Sequence, residues 1–199
     1  MSANRILVHS GVATDFRDRF CRKVFDLTNG DPAEAATVIG PLINARQVAA
    51  LEKKVDAGWR AGAKALVRGE TVGNVMAPVV LENVDRESAI AHDELFGPVV
   101  LLMEFGDDQE AIDIANDTDF GLSGAVHTRD ISRGIRIARQ IHTGMVHVND
   151  RTVFDLPGIL TGGMGSSGSG SRFGSTTNWD EFTEWQWVTV GAVPVRYPF

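Results

Sequence analysis

The stretch VVLLMEF, Val99 to Phe105, is apolar at every position except Glu104. A run of this length with no polar alternation suits a strand buried on both faces, as in a parallel sheet covered by helices. Its flanks sharpen that reading. Phe-Gly-Pro stands before it, and Gly106 with Asp107 after it, so turn chemistry bounds the run on both sides. A chain that buries such a strand needs helices above and below the sheet, and the rest of the sequence supplies them.

Short apolar runs alternate with helix-period segments along most of the chain. RILVH (Arg5–His9) reads as a strand. Phe16, Phe20 and Val24 then recur every four residues, the spacing of an amphipathic helix, with Gly30 as a candidate left-handed cap. A second helix is expected over about Ala45 to Ala61. Asn44 is its N-cap, Gln47 stands three residues on, Val48, Leu51, Val55 and Trp59 form the stripe, and Gly62 ends it. Ala63–Gly69 and Asn74–Val84 read as strands, the second entered through Pro78 and expected to be peripheral there. Asp107 caps a helix whose buried side is Ala111, Ile112, Ile114 and Ala115. Gly121–Thr128 reads as a strand. Asp130 caps a further helix with the stripe Ile131, Ile135, Ala138 and Ile141, Gly144 can end it, and Met145–Asn149 is the next strand. The expected architecture is an α/β fold, a three-layer domain with a mostly parallel sheet.

The last part differs. Gly158–Ser175 is rich in glycine and serine and has no periodicity, so it must be a loop laid against other elements. Asn178–Trp185 can form a short helix. Trp185–Val190 alternates large apolar with polar residues and reads as a strand with one buried face, paired away from the main sheet or with the edge of another chain. The expected division is 1–175 for the main domain and 176–199 for the terminal helix and strand.

Charge and composition exclude several classes. The formal net charge of -7 argues against nonspecific binding to nucleic acid or to an anionic membrane. No apolar run approaches the roughly 20 residues of a membrane span. Neither a signal-peptide core nor a cationic leader is visible, and the single cysteine, Cys21, allows no intrachain disulfide, so a cytoplasmic location is the default expectation.

The candidate chemistry is sparse. Asp93 and Glu94 precede Phe96-Gly97-Pro98. Proline pre-sets its own φ and restricts the residue before it, so the turn can hold a carboxylate in place, although adjacent acids also solvate ordinary loops. Gly163 to Gly168 matches G-x-G-x-x-G literally, but it lacks the strand, helix and later acid that dinucleotide binding requires, so close backbone packing is the better reading. Cys21 adjoins Phe20 on the first helix and reads as a structural thiol. The five histidines form no ligand pair, and no metal site is expected. Asn149 and Asp150 end a strand where α/β sheets place ligands, and they also suit a plain turn.

Four segments carry a specific resemblance: GPLIN (Gly40–Asn44), ELFGPVV (Glu94–Val100), NDTDFGLSGAVHTRD (Asn116–Asp130) and GGMGSSGSGSRFG (Gly162–Gly174). In this order and spacing they resemble the C-terminal, catalytic-domain portion of NAD(P)-dependent aldehyde dehydrogenases. VNDRTVFDLP and NWDEFTEWQWVTV look most like the benzaldehyde and vanillin dehydrogenase branch. The resemblance implies oxidation of an aldehyde, plausibly aromatic, to a carboxylic acid with NAD or NADP as hydride acceptor. In the family a cysteine thiolate attacks the aldehyde carbon, and an activated water releases the acid. The resemblance also implies that Glu94 hydrogen-bonds the nicotinamide ribose and that Phe96 packs near the nicotinamide. Phe154 and Leu156 fall in the loop that lines the aldehyde tunnel. The family's Gly-Gly-x-Lys pattern has Gly165 in the lysine position here, which removes the contacts such a lysine would make.

The same resemblance places the family nucleophile immediately before Met1 and its glutamate base further upstream. Cys21 does not match the nucleophile, no catalytic residue is assigned, and these 199 residues alone are expected to be inactive. Trp185–Val190 matches the strand that joins a partner subunit's sheet. A homo-oligomer, or pairing with a full-length relative, is therefore the expected assembly. The alternative reading is a non-catalytic remnant that acts through such assembly.

Overall fold

A computed structural model describes residues 3–154 and 156–198. Its main sheet has four strands in the order β1-β4-β3-β2: β1 Arg5–His9, β2 Lys64–Arg68, β3 Val79–Glu82 and β4 Val99–Phe105. β4 lies parallel to both β1 and β3, and β2 is antiparallel to β3. The fold is α/β with a mixed, mostly parallel sheet. VVLLMEF is an inner strand of it, as its unbroken apolar run requires.

Side chains alternate across the sheet, and the register sorts them into two faces. Val79, Leu81, Val99, Leu101 and Met103 face one way and pack with Leu51 and Val55 of α2 (Ala45–Arg60), Ile90 of α3 (Ala89–His92) and Ile114 of α4 (Asp108–Asn116). Val8, Leu102 and Glu82 face the other way, toward Ala13, Phe16 and Arg17 of α1 (Ala13–Phe25). Helices therefore cover both faces. Leu51, Leu81, Leu95 and Leu101 are each no more than 1% exposed. Each such side chain contributes about 1.5–3 kcal/mol of burial.

The caps form as the sequence requires. Asn44, Asp107 and Asp130 each accept a hydrogen bond from the backbone N–H three residues on, at 2.9, 2.9 and 3.0 Å. Gly62 follows α2 with φ +108°. Other expectations need correction. α1 ends at Phe25 on Asp26 in right-handed conformation, and Gly30 instead flanks the bridge between Asn29 and Ile39. β3 begins only after Pro78 and is an interior strand, not a peripheral one. Proline's missing N–H costs nothing there, because pairing starts at Val79, whose N–H donates to the Pro98 carbonyl at 2.8 Å. Trp59 leaves the α2 stripe and is exposed beneath the Arg68 guanidinium, and Gly58 packs on Ile90 in its place.

After α4 come β5 (Phe120–Gly121), β6 (Ser123–Val126), α5 (Ile131–Ala138) and β7 (Met145–Val148), with β6 and β7 parallel. The expected strand Gly121–Thr128 is thus split in two. The α5 stripe is not buried: Ile131 and Ile135 are 52% and 41% exposed, because the helix meets the small β6–β7 sheet through Gly134 rather than through its isoleucines. Gly144 does not cap α5, which ends six residues earlier at Ala138. It lies against the Gly162 carbonyl, where an added Cβ would sit 1.6 Å from that oxygen.

The Gly/Ser segment is a loop, as expected, with a two-residue strand β8 (Met164–Gly165) on β5. α6 (Thr177–Phe182) follows it. Trp185–Val190, expected as a strand, is neither helix nor strand, and Trp185, Trp187 and Val190 are 99%, 91% and 90% exposed. A strand exists only when another edge pairs with it, and among the described residues no edge pairs with that segment. Among the described residues no helix is long and apolar enough to cross a membrane.

Candidate functional site

The turn between α3 and β4 is built from Asp93 to Pro98. Leu95 is its anchor, 1% exposed, inside the core formed by α2 and the sheet. Leu95 is turned inward, Glu94 beside it is half-buried, and Phe96 is exposed. Phe96 is 71% exposed and has φ +40°, a left-handed conformation that an aromatic residue rarely takes. That conformation costs about 1–2 kcal/mol. Burial of Leu95, about 1.5–3 kcal/mol, is large enough to offset it. Strained backbone at an exposed aromatic is a feature that clusters at ligand sites.

Helix α2 holds the turn from below. Gln47 Nε2 donates to the Phe96 carbonyl at 3.3 Å, and Lys54 Nζ donates to the Glu94 carbonyl at 3.2 Å. Lys54 also pairs with the Asp93 carboxylate at 3.0 Å. Gly97 passes so close to α2 that an added Cβ would lie 2.2 Å from Leu51 Cδ2. From the other side Asn4 Nδ2 donates to the Asp93 carbonyl at 3.4 Å. The Glu94 carboxylate itself makes no hydrogen bond or ion pair among the described residues. Gln47 therefore uses its side chain on the turn, not on the capping box its position suggested.

The second predicted pair lies in the loop after β7. Phe154 is half-buried and meets the His147 ring edge-on, with centroids 6.3 Å apart and planes at 81°. His147 Nε2 is buried without a hydrogen-bond partner among the described residues. Leu156 is exposed and lines a shallow apolar cavity of about 290 Å³ with Pro157, Ile159, Thr161 and Phe173. No hydrogen bond, ion pair or ring contact joins Phe154 or Leu156 to Glu94 or Phe96 among the described residues. The two regions share a scaffold instead. Thr118 Oγ1 donates to the His92 carbonyl at 3.4 Å beside the turn, and Asp119 O accepts from Ser166 N at 2.8 Å in the glycine-rich loop.

The remaining candidates resolve into structural roles. Asn149 has φ +58° and makes two 2.8 Å hydrogen bonds with the Thr128 backbone, latching the ends of β6 and β7. The Asp150 carboxylate accepts from the next backbone N–H. The Cys21 thiol is pushed above its ordinary value, first by burial and then by the nearby Glu82 carboxylate, with Arg17 opposing. A raised thiol is a poor nucleophile at neutral pH. The glycine-rich loop folds on itself, since Cβ atoms at Gly163 and Gly168 would strike backbone oxygens at 2.1 and 2.3 Å. A second cavity, about 250 Å³ between α1 and the sheet, is lined by Arg17, Glu82, Arg86 and Glu104 and by none of the predicted site residues. Among the described residues no three His, Cys, Asp or Glu side chains are grouped to hold a metal.

The model of the aldehyde dehydrogenase family matches residues 1–188. The chain belongs to the aldehyde dehydrogenase family. It is 44% identical over its full length to a benzaldehyde dehydrogenase of Bacillus subtilis and 38% identical to a benzaldehyde dehydrogenase [NAD(+)] of Pseudomonas putida, and it covers 41% of each. It thus spans about two-fifths of the length of these curated aldehyde dehydrogenases. A crystal structure of a salicylaldehyde dehydrogenase from Pseudomonas putida G7 with salicylaldehyde superposes with a TM-score of 0.90 at 34% identity, over 98% of this chain and 40% of that one. A betaine aldehyde dehydrogenase from Staphylococcus aureus in complex with NAD+ gives a TM-score of 0.85 at 31% identity, over 90% of this chain and 37% of that one.

Proposed function

We propose that these residues are the C-terminal, catalytic-domain portion of an aldehyde dehydrogenase that oxidises an aromatic aldehyde to its carboxylic acid. The cofactor is NAD or NADP, which accepts the hydride. The observation that carries the reading is the Asp93–Pro98 turn: one buried leucine, a half-buried carboxylate with no partner among the described residues, and an exposed aromatic ring held at positive φ. A free carboxylate suits the paired hydroxyls of a ribose, which are hydrogen-bond donors. An exposed ring beside it suits a flat nicotinamide. Glu94 and Phe96 are accordingly the cofactor residues of this reading.

Phe154 and Leu156 line the aldehyde tunnel in the same reading. Both are apolar, and Phe154 presents a ring edge-packed on His147, which favours an aromatic substrate. The relatives named for benzaldehyde and salicylaldehyde support the same substrate class. Residues 1–175 form the partial catalytic domain, and 176–199 the helix and strand that assemble with a partner subunit. A cytoplasmic location belongs to the same reading.

No described side chain here takes the nucleophile's role. Cys21 lies on α1 and its thiol is held protonated. The experiment is growth of absorbance at the reduced-nicotinamide band with benzaldehyde and NAD, using the 199-residue chain alone. No turnover is expected, and robust turnover contradicts the assignment of roles.

A second reading is favoured by one observation, the exposure of Trp185, Trp187 and Val190 on a segment with strand patterning. On that reading the chain is a non-catalytic remnant that pairs through Trp185–Val190 with a full-length relative. Co-purification of a larger homologue, lost when Trp185 and Trp187 are replaced by serine, separates the two.

A further inference from the structure

We propose that Lys54 is a positioning residue for the Glu94 carboxylate, acting through the Asp93 carboxylate and the Glu94 carbonyl. The inference rests on the reading of Glu94 as the group that meets the cofactor ribose. The turn carries two adjacent carboxylates, and among the described residues one ammonium group, that of Lys54, bonds to it. Lys54 Nζ pairs with Asp93 Oδ2 at 3.0 Å and donates to the Glu94 carbonyl at 3.2 Å. These two bonds hold the Asp93 side chain and the Glu94–Leu95 peptide, which flank the Cα that carries the Glu94 carboxylate. They also commit the lysine's charge to Asp93, so the Glu94 carboxylate stays open for hydroxyl donors.

The lysine is well placed for this. Gln47, Leu51 and Lys54 lie on one face of α2 at helical spacing, and they meet Phe96, Gly97 and the Asp93–Glu94 pair in turn. Leu51 and Val55 are each 1% exposed, so the helix beneath the lysine is anchored in the core. Without Lys54 the Asp93 carboxylate loses its ion pair and the Glu94 carbonyl loses the side chain that donates to it from α2. The side chains of Lys54 and Asp93 are 36% and 43% exposed, so solvent screens the pair. An exposed pair of this kind changes affinity by about two- to fivefold, not by decades.

The test uses the 199-residue chain, with nicotinamide mononucleotide as probe and the amide resonances of Glu94 to Gly97 as readout. Glu94→Gln, Lys54→Met and Lys54→Arg are compared with the wild type, and thermal midpoints report the fold. Weaker binding in Glu94→Gln and Lys54→Met, restored in Lys54→Arg, is expected. If Glu94→Gln weakens binding but Lys54→Met does not, the positioning role is overturned and the cofactor reading stands. A loss in Lys54→Met that arginine fails to restore marks a packing role and also overturns it. Wild-type affinity in Glu94→Gln, or no saturable binding by the wild type, overturns the cofactor reading and this inference together. Should Lys54→Met fail to fold, Asp93→Ala replaces it: reduced affinity supports the clamp, and unchanged affinity overturns it.

Discussion

Leu51 and Gly97 are in contact so close that no side chain fits between them: a Cβ on Gly97 would lie 2.2 Å from Leu51 Cδ2. Leu51 is 1% exposed and packs among the buried residues of the core. Gly97→Ala must therefore shift the Leu51 side chain, the turn or the helix. Overpacking of this sort costs about 1–3 kcal/mol. Urea denaturation of the variant should show a lower midpoint with an unchanged slope, and a wild-type midpoint contradicts the packing described.

Phe96 poses the opposite case. Its ring is 71% exposed and its φ is +40°, so the fold gains little from the side chain and bears its strain. Phe96→Gly relieves that strain. Stability should be unchanged or rise by about 1 kcal/mol, while nicotinamide mononucleotide binding weakens. A fall in thermal midpoint together with unchanged binding would show that the ring serves the fold and not a ligand.

Asp108 and Arg133 join the N-terminus of α4 to α5, with the guanidinium Nε 2.9 and 3.0 Å from the two carboxylate oxygens. Hydrogen bonding to Arg133 is the main cause that holds the Asp108 carboxyl below its ordinary value of 3.8, and the guanidinium charge acts in the same direction. A carboxyl lowered in the folded state stabilises the fold above the unfolded-state value, and the contribution is lost as pH falls through the folded one. Asp108→Asn should lower the urea midpoint at neutral pH and match the wild type once both are below the carboxylate range. An equal deficit at both pH values rules out the ion pair as its source.

Cys21 gives a chemical check on the assignment of roles. Burial and the Glu82 carboxylate push its thiol above 9.0. Alkylation by iodoacetamide at neutral pH should be slower in the folded chain than in urea. Faster alkylation in the folded state would point to an activated thiol and reopen Cys21 as a nucleophile.

Much of the fold is readable from residue type, because local chemistry decides it. Asn44, Asp107 and Asp130 cap their helices, and the apolar run Val99–Phe105 is an inner strand. What escaped depends on long-range geometry. Nothing in the spacing says that Ile131 and Ile135 stay exposed, since that follows from how Gly134 seats α5 on the small sheet. The turn at Glu94 is visible as Phe-Gly-Pro, whereas two donors that hold it, Gln47 and Lys54, lie 49 and 40 residues away in sequence from the carbonyls they bond. Trp185–Val190 has the aromatic and β-branched residues of a strand, but composition states a preference, and among the described residues no edge pairs with it.

On the proposed function, the Asp93–Pro98 turn holds the ribose end of a nicotinamide cofactor. The most direct measurement is the amide-shift map of the wild-type chain titrated with nicotinamide mononucleotide. Saturable shifts concentrated at Glu94, Leu95, Phe96 and Gly97 are predicted. Shifts confined to other parts of the chain, or none at all, contradict the claim.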